Sequence, residues 1–192
     1  MKITKVEKLT DEKWLNLFAA TYENRGHTGR WVFASRRADP HAGRPAGDAV
    51  LIVPVLRNPG QPPRLVLIRE FRVPAGDFVL AFPAGLLEEG EPLEETVRRE
   101  LHEETNLEVA HIKRITQPLF TSGGMTDETV AFAFVDARGT PDPHHLPEQS
   151  EDIEVLLLDH AEVCRLCDDT AVRMDAKAWA ILYLYRQLGK LE

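Results

Sequence analysis

The chain has 192 residues and a net charge of −8, with 31 acidic against 23 basic residues. This balance provides no basic stripe and disfavours a nucleic-acid duplex as partner, although a metal or a few arginines can still adapt a cleft to a small anion. No apolar run approaches the length of a membrane span and the first residues lack the apolar core of a signal peptide, so we expect a cytoplasmic protein.

The first 38 residues are predicted to form a unit of their own. KITKVEKL and RWVFASRR have strand-like compositions, and WLNLFAATYE between them is compatible with a strand or a helix. The segment 38–48, ADPHAGRPAGD, is rich in Pro, Gly and Ala and predicts a connection. We therefore divide the chain into an N-terminal β unit, residues 1–38, and a main domain, residues 39–192.

The main domain mixes strands and helices. Strand-like segments occur at 49–56, 64–71, 78–83, 111–120, 129–137 and 153–159. The first two suggest a hairpin, and the last segment of the chain predicts a helix with Asp175 as N-cap and Gly189 near the C-cap. Hairpins outnumber βαβ units, so we predict an α/β fold in which a mixed β-sheet is sandwiched between helices.

Two cysteines, Cys164 and Cys167, have the C-x-x-C spacing that is typical of zinc or redox sites. There is no second pair of ligands near them in the sequence. We interpret them as two ordinary thiols on a helix, which agrees with a cytoplasmic location.

A strongly acidic helix is predicted to run from about Pro92 to Thr105. Proline suits the first helical position, and Asn106 tolerates the left-handed conformation that ends a helix. At about 100° per residue, Glu104 and Glu100 lie within about 20° of Leu93, on the stripe that carries the apolar anchors. Glu103 borders this stripe, which therefore turns carboxylates toward the protein.

The repulsion between carboxylates on this buried face has to be offset. Two carboxylates about 6 Å apart repel by roughly 3 kcal/mol at an effective dielectric constant near 20. Either some of Glu100, Glu103 and Glu104 are protonated or a cation lies among them, and a hard divalent ion that prefers oxygen ligands fits best. Arg99 is placed to orient a carboxylate, or else to form a plain i,i+4 pair with Glu95.

The spacing of these residues resembles the Nudix box. The box has Gly, five residues, Glu, seven residues and then Arg-Glu-aliphatic-x-Glu-Glu-x-Gly-aliphatic. The matching residues are Gly85, Glu91, Arg99, Glu100, Leu101, Glu103, Glu104 and Leu107. Asn106 replaces the family glycine, and asparagine is the next best residue for that backbone conformation.

The resemblance implies a Nudix hydrolase that cleaves a nucleoside diphosphate linked to another group, with Mg²⁺ or Mn²⁺. By position, Glu100, Glu103, Glu104 and the carbonyl of Ala84 would be metal ligands. Glu91 would support the site, and Arg99 would orient the carboxylates.

Further segments, IREFRVP, SGGMTDE and SEDIEV, resemble the branch that hydrolyses ADP-ribose and nucleotide sugars. In that branch an N-terminal β unit exchanges between the subunits of a homodimer. The resemblance implies that Trp31 stacks on the base, with Arg36 near phosphate or ribose, and that Arg72 contacts the pyrophosphate. Gly124 and Met125 would shape the pocket near the terminal ribose.

A loop glutamate serves as general base in this branch. The candidates here are Glu148 and Glu151, in the polar segment before the last predicted strand. The spacing to that strand favours Glu151. Other substrates, such as GDP-mannose, a dinucleoside polyphosphate or a coenzyme, stay open, as does a non-enzymatic ADP-ribose sensor. Sensors typically lose carboxylates of the box, and this chain keeps them, so we predict an enzyme.

Overall fold

A computed structural model describes residues 1–41, 47–142 and 152–191. The chain divides into two compact units. The first is formed by Met1–Asp48 together with Gln117–Val130, and the second by Ala49–Thr116 together with the residues from Ala131 onwards. The first unit therefore includes a segment from the middle of the chain that the predicted boundary at residue 38 left in the main domain.

Three antiparallel strands in the order β1-β2-β3 form the sheet of the first unit. They are β1 (Lys2–Lys8), β2 (Asn16–Asn24) and β3 (His27–Ser35). WLNLFAATYE thus belongs mainly to a strand. A two-residue turn joins β2 to β3, and its residues Arg25 and Gly26 both have positive φ, as the turn that matches strand twist requires.

The segment 117–130 belongs to the same unit. Its short strand β9 (Leu119–Phe120) pairs with the first residues of β10 (Thr129–Arg138). The loop between them reaches β3, where the N–H of Ala34 donates to the carbonyl of Met125 at 2.8 Å. This contact joins two parts of the chain that lie far apart in sequence.

The second unit contains a large sheet with the strand order β11-β5-β4-β10-β8. Two further strands extend it, since β6 pairs with β5 and β7 pairs with β4. The strand bounds are β4 (Ala49–Leu56), β5 (Arg64–Arg72), β6 (Asp77–Ala81), β7 (Ala84–Leu86), β8 (Glu108–Ile115) and β11 (Ile153–Leu158). β4 and β5 are antiparallel neighbours, which confirms the predicted hairpin.

Among the described residues, three α-helices accompany this sheet: α1 (Leu93–Thr105), α2 (His160–Asp168) and α3 (Ala176–Leu188). The apolar side chains of α1, Val97 and Leu101, are fully buried in a core with residues of β4, β8 and β10. α2 and α3 pack against each other, and contact β11 and β6 respectively. The predicted fold class, α/β with a large mixed sheet, is confirmed.

The predicted helix ends agree closely with the structure. α1 begins at Leu93, one residue after Pro92, and ends at Thr105, and the residue that caps it, Asn106, has φ 58°. The side chain of Asp175 caps α3, and Gly189 ends it with φ 70°. Cys164 and Cys167 lie on α2 with free thiols. None of the described helices is long and apolar enough to cross a membrane.

Candidate active site

The acidic face of α1 meets the short strand β7, which pairs with β4. The carboxylate of Glu104 accepts a hydrogen bond from the main-chain N–H of Ala84 at 3.1 Å. Gly85 lies against Glu100, since a Cβ added to this glycine would be 1.8 Å from the carboxyl carbon. The missing side chain of Gly85 therefore makes room for a carboxylate.

Burial follows the predicted face of the helix. Glu104 is 6% exposed, whereas Glu95 and Arg98 on the opposite face are exposed. The side chain of Glu100 is 12% exposed and that of Glu103 46% exposed. Two carboxylates are therefore turned toward the protein, and the third lies at the border.

Arg99 links the carboxylates. Its Nη1 donates to Glu100 at 2.8 Å and to Glu103 at 2.9 Å, and its Nε donates to Glu91 at 2.9 Å. These contacts are compatible with the first of the two roles that the sequence left open, in which Arg99 orients carboxylates, and that role stays a prediction. These contacts hold the pKa of Glu91 down at about 2, chiefly through the hydrogen bond from Arg99. The same carboxylates raise the pKa of Arg99.

The donor chemistry fits a hard divalent ion. Glu91, Glu100 and Glu103 pair with the cation of Arg99, and Glu104 accepts from the main chain of Ala84. All of these side chains offer oxygen atoms, which are the ligands that such ions prefer. Within the described ranges, no three acidic, histidine or cysteine side chains already converge as the ligands of a bound ion do. Glu100 and Glu103 both accept from one nitrogen of Arg99, Nη1, and Glu100 also lies against Gly85.

Replacement of Arg99 by methionine should lower the free energy of unfolding by roughly 2 kcal/mol at pH 7, because several carboxylates lose their shared cation. In the wild type, the folded pKa of Glu91 lies at about 2, below its ordinary 4.5, so its contribution to stability is complete above pH 4.5 and is lost as the pH falls toward 2. In Arg99→Met the bond that lowers the pKa of Glu91 is absent, so the stability of the variant should not fall in this way. The stability difference between the two proteins should therefore narrow over that range.

Urea unfolding at pH 7, 4 and 3 measures this difference. Arg98→Met is the matched control, because Arg98 donates to the carbonyl of Val109 at 2.9 Å and its contribution should not vary with pH in this way. A difference between wild type and Arg99→Met that stays constant from pH 7 to pH 3 would contradict the role of Arg99.

The first unit brings four of the predicted substrate-binding residues together. The indole N–H of Trp31 donates to the carbonyl of Gly124 at 3.0 Å, and the carbonyl of the next residue, Met125, accepts from β3. Arg36 pairs with Glu128 at 3.2 Å. β3 and the loop that follows β9 thus form one cluster.

Beside this cluster lies an open cavity of about 450 Å³ with a mainly aromatic and apolar lining. Its lining includes Tyr22, Trp31, Phe33, Phe120, Thr126 and Asp127. Trp31 is 53% exposed, and Met125 is 71% exposed. The cavity is of a size and character that suit a planar apolar group with a polar edge.

The remaining predicted residues lie in the second unit or outside the described ranges. Arg72 is the last residue of β5, in the second unit, and pairs with Glu70 at 2.7 Å. Glu151 and the alternative base Glu148 lie outside the described residues. The general base therefore stays a prediction.

Comparison with known proteins places the chain in a family. A model of the NUDIX domain matches residues 45–177. The chain belongs to the Nudix hydrolase family. An ADP-sugar pyrophosphatase of Mus musculus is 28% identical over 187 residues, which cover 93% of this chain and 84% of that protein. An ADP-ribose pyrophosphatase of Escherichia coli O6:H1 is 31% identical over 138 residues, 67% of this chain and 65% of that protein.

The fold comparison agrees. The crystal structure of an ADP compounds hydrolase has a TM-score of 0.71 at 22% identity, and the match covers 97% of this chain and 92% of that one. This likeness shows the shared fold. The family match and the relatives of the chain confirm the resemblance to the ADP-ribose pyrophosphatase branch of the Nudix family.

The structure of this Nudix protein also shows residues that no sequence pattern indicated. Arg37 and Asp48 form an ion pair, and the same carboxylate accepts from the N–H and hydroxyl of Thr129 at 2.9 and 3.0 Å. Ser35 donates to Asp127 at 3.0 Å. These bonds connect β3, the segment before β4 and the start of β10. The partners of Asp48 lie in two separate segments, so their spacing carries no signal.

Proposed function

We propose that this Nudix hydrolase cleaves the diphosphate bond of ADP-ribose or a related nucleotide sugar, giving a nucleoside monophosphate and a sugar phosphate. The observation that carries the proposal is the set of inward-facing carboxylates of α1 against Ala84 and Gly85. The names of the relatives, ADP-sugar pyrophosphatase and ADP-ribose pyrophosphatase, support the choice of substrate class.

In this proposal Glu100, Glu103, Glu104 and the carbonyl of Ala84 would hold Mg²⁺, or Mn²⁺ in its place. When bound there, the ion would offset the charge of the diphosphate and polarise its oxygens. Arg99 fixes the carboxylates from one side, since four of its hydrogen bonds go to three acidic side chains. The helix thus presents its carboxylates with little freedom to turn away.

The reaction requires one water molecule. Its oxygen forms a bond to one phosphorus, and the bridging P–O bond breaks with its electron pair on the departing phosphate. We propose Glu151 as the general base that takes the proton of the water. The guanidinium of Arg72 would donate to phosphate oxygens, a task for which its planar set of donors is suited.

We propose that the nucleotide base and the terminal ribose bind to residues of the first unit. Trp31 offers a stacking surface whose orientation is fixed by its bond to Gly124. Met125 and the neighbouring glycines would line the ribose end, and Arg36 would contact phosphate or ribose. Family resemblance further suggests a cytoplasmic homodimer. A monomer measured by light scattering would contradict the dimer.

Replacement of Trp31 by alanine should raise the KM for ADP-ribose by tenfold or more, because stacking on an aromatic ring contributes about 1–3 kcal/mol per base. Trp179→Ala is the matched control, since this tryptophan of α3 is similarly exposed, at 46% against 53%, and stacks on Tyr183. Steady-state kinetics measure both variants. An unchanged KM in Trp31→Ala would remove Trp31 from the base site.

A panel of ADP-ribose, GDP-mannose and UDP-glucose, each with Mg²⁺, tests the proposed function. We expect the highest kcat/KM with ADP-ribose, release of AMP and ribose 5-phosphate, and loss of turnover when EDTA is added. Preference for GDP-mannose would change the substrate but keep the reaction. Tight binding of ADP-ribose without any products would contradict an enzyme and favour a sensor.

A further inference from the structure

A buried carboxylate lies next to the arginine proposed to contact the diphosphate. Glu70 is only 8% exposed and lies on β5, where its neighbours across the sheet are Val79 of β6 and Ile153 of β11. A glutamate is rarely so buried unless it is paired with a partner. Its Oε2 lies 2.7 Å from Nη2 of Arg72.

The backbone of Arg72 is held as firmly as its side chain. Arg72 ends β5, and its carbonyl accepts from the N–H of Gly76 at 3.0 Å in the turn that leads to β6. Gly76 has φ 63°, which glycine adopts at little cost. On the far side of this turn, Asp77 is the strand partner of Arg72. The position of the Cα atom is therefore determined by the hairpin.

The pair is asymmetric in its exposure. The side chain of Glu70 is 11% exposed, whereas that of Arg72 is 46% exposed. A guanidinium carries five donors in a rigid plane. When one nitrogen is held by an ion pair at its buried side, the orientation of the whole plane is restricted, and donors remain for a ligand on the exposed side.

We infer that Glu70 is a positioning residue for diphosphate recognition and acts through Arg72. This inference rests on the proposed function, in which Arg72 binds the diphosphate. Without Glu70 the arginine keeps its charge but samples several rotamers, so each binding event has to order it. The effect should therefore appear in KM more than in kcat.

A double-mutant cycle tests this coupling. Glu70→Ala should raise the KM for ADP-ribose about tenfold, with kcat changed by less than about threefold, because the ion pair that orients Arg72 is lost. Glu70→Gln keeps a neutral acceptor and should raise KM about threefold. In an Arg72→Ala background neither substitution should change KM further. If the Glu70→Ala variant does not fold, the test is the comparison of Glu70→Gln with and without Arg72→Ala.

The matched control is Glu154→Gln, which removes the carboxylate that pairs with the adjacent Arg69 at 3.1 Å on an exposed part of the sheet. Its KM should equal that of the wild type. A rise in KM that is the same with and without Arg72, or no rise in either Glu70 variant, would overturn the inference.

The two proposals fail separately. Wild-type turnover of nucleoside diphosphate compounds tests the proposed function alone. If the wild type hydrolyses none of them, the same variants are compared by calorimetry for their affinity for ADP. Loss of affinity in Glu70→Gln only when Arg72 is present would still support the positioning role, and equal affinities in all variants would overturn it.

Discussion

Substitution of Glu104 by glutamine should lower kcat by about 10³-fold at saturating Mg²⁺ while the protein stays folded. Glutamine keeps the volume of the side chain and an oxygen that can accept from the N–H of Ala84. It removes the negative charge and hence the affinity for a hard cation. The loss should therefore fall on catalysis rather than on packing.

Thermal unfolding provides the stability measurement for this variant. Glu104 is only 6% exposed and a buried charge is costly, so loss of its charge should leave the melting temperature unchanged or raise it. Glu95→Gln, on the exposed face of the same helix, should have wild-type kcat. A kcat of Glu104→Gln within twofold of the wild type would exclude Glu104 from the metal site.

Addition of one methyl group at Gly85 should lower kcat by about 10²-fold, within the range known for loss of one electrostatic contact in an active site. The new Cβ would lie 1.8 Å from the carboxyl carbon of Glu100, so the two groups cannot share this space. The atom displaced is the end of a flexible side chain, and the fold can yield there. Glu100 would then turn away from the site, and the Mg²⁺ concentration for half-maximal activity should rise.

The Glu100→Gln variant is the reference for this prediction. Because Gly85→Ala acts by displacing Glu100, it should have little further effect on kcat once Glu100 is glutamine. Circular dichroism and thermal unfolding would verify that both variants are folded. If Gly85→Ala lowers kcat equally in both backgrounds, the close approach of Gly85 and Glu100 does not explain the glycine.

Helix α1 is the most predictable part of the structure. Its period of apolar residues and its two ends are local properties, and helix geometry alone is enough to place Glu100 and Glu104 on the inward face. The conformation of Asn106, with φ 58°, also follows from a local preference. The helix is amphipathic in an unusual sense, because carboxylates share its buried stripe.

The role of Arg99 is only partly predictable. Helix geometry alone allows a pair with Glu95, four residues earlier. The structure instead pairs Arg99 with Glu91, which lies before the first helical residue, as well as with Glu100 and Glu103. The position of Glu91 depends on the loop before α1, and its backbone path is not a periodic property of the sequence.

Contacts between distant segments lie beyond prediction from pattern. The bond from Trp31 to Gly124 joins residues 93 positions apart. Glu70 and Arg72, by contrast, lie only two residues apart on one strand. The proposed role of this pair nevertheless depends on the burial of Glu70 in the sheet, between β6 and β11. Strand composition predicts that such residues share a face, but not which face is covered.

The most direct test of the metal site is a crystal soaked with Mn²⁺ and a non-hydrolysable ADP-ribose analogue, with the ion located by anomalous scattering. We predict a peak among the carboxylates of Glu100 and Glu104, next to residue 84, in contact with the diphosphate. A fully occupied ion that binds the diphosphate at another place, with these carboxylates still held only by Arg99 and the main chain, would contradict the proposed site.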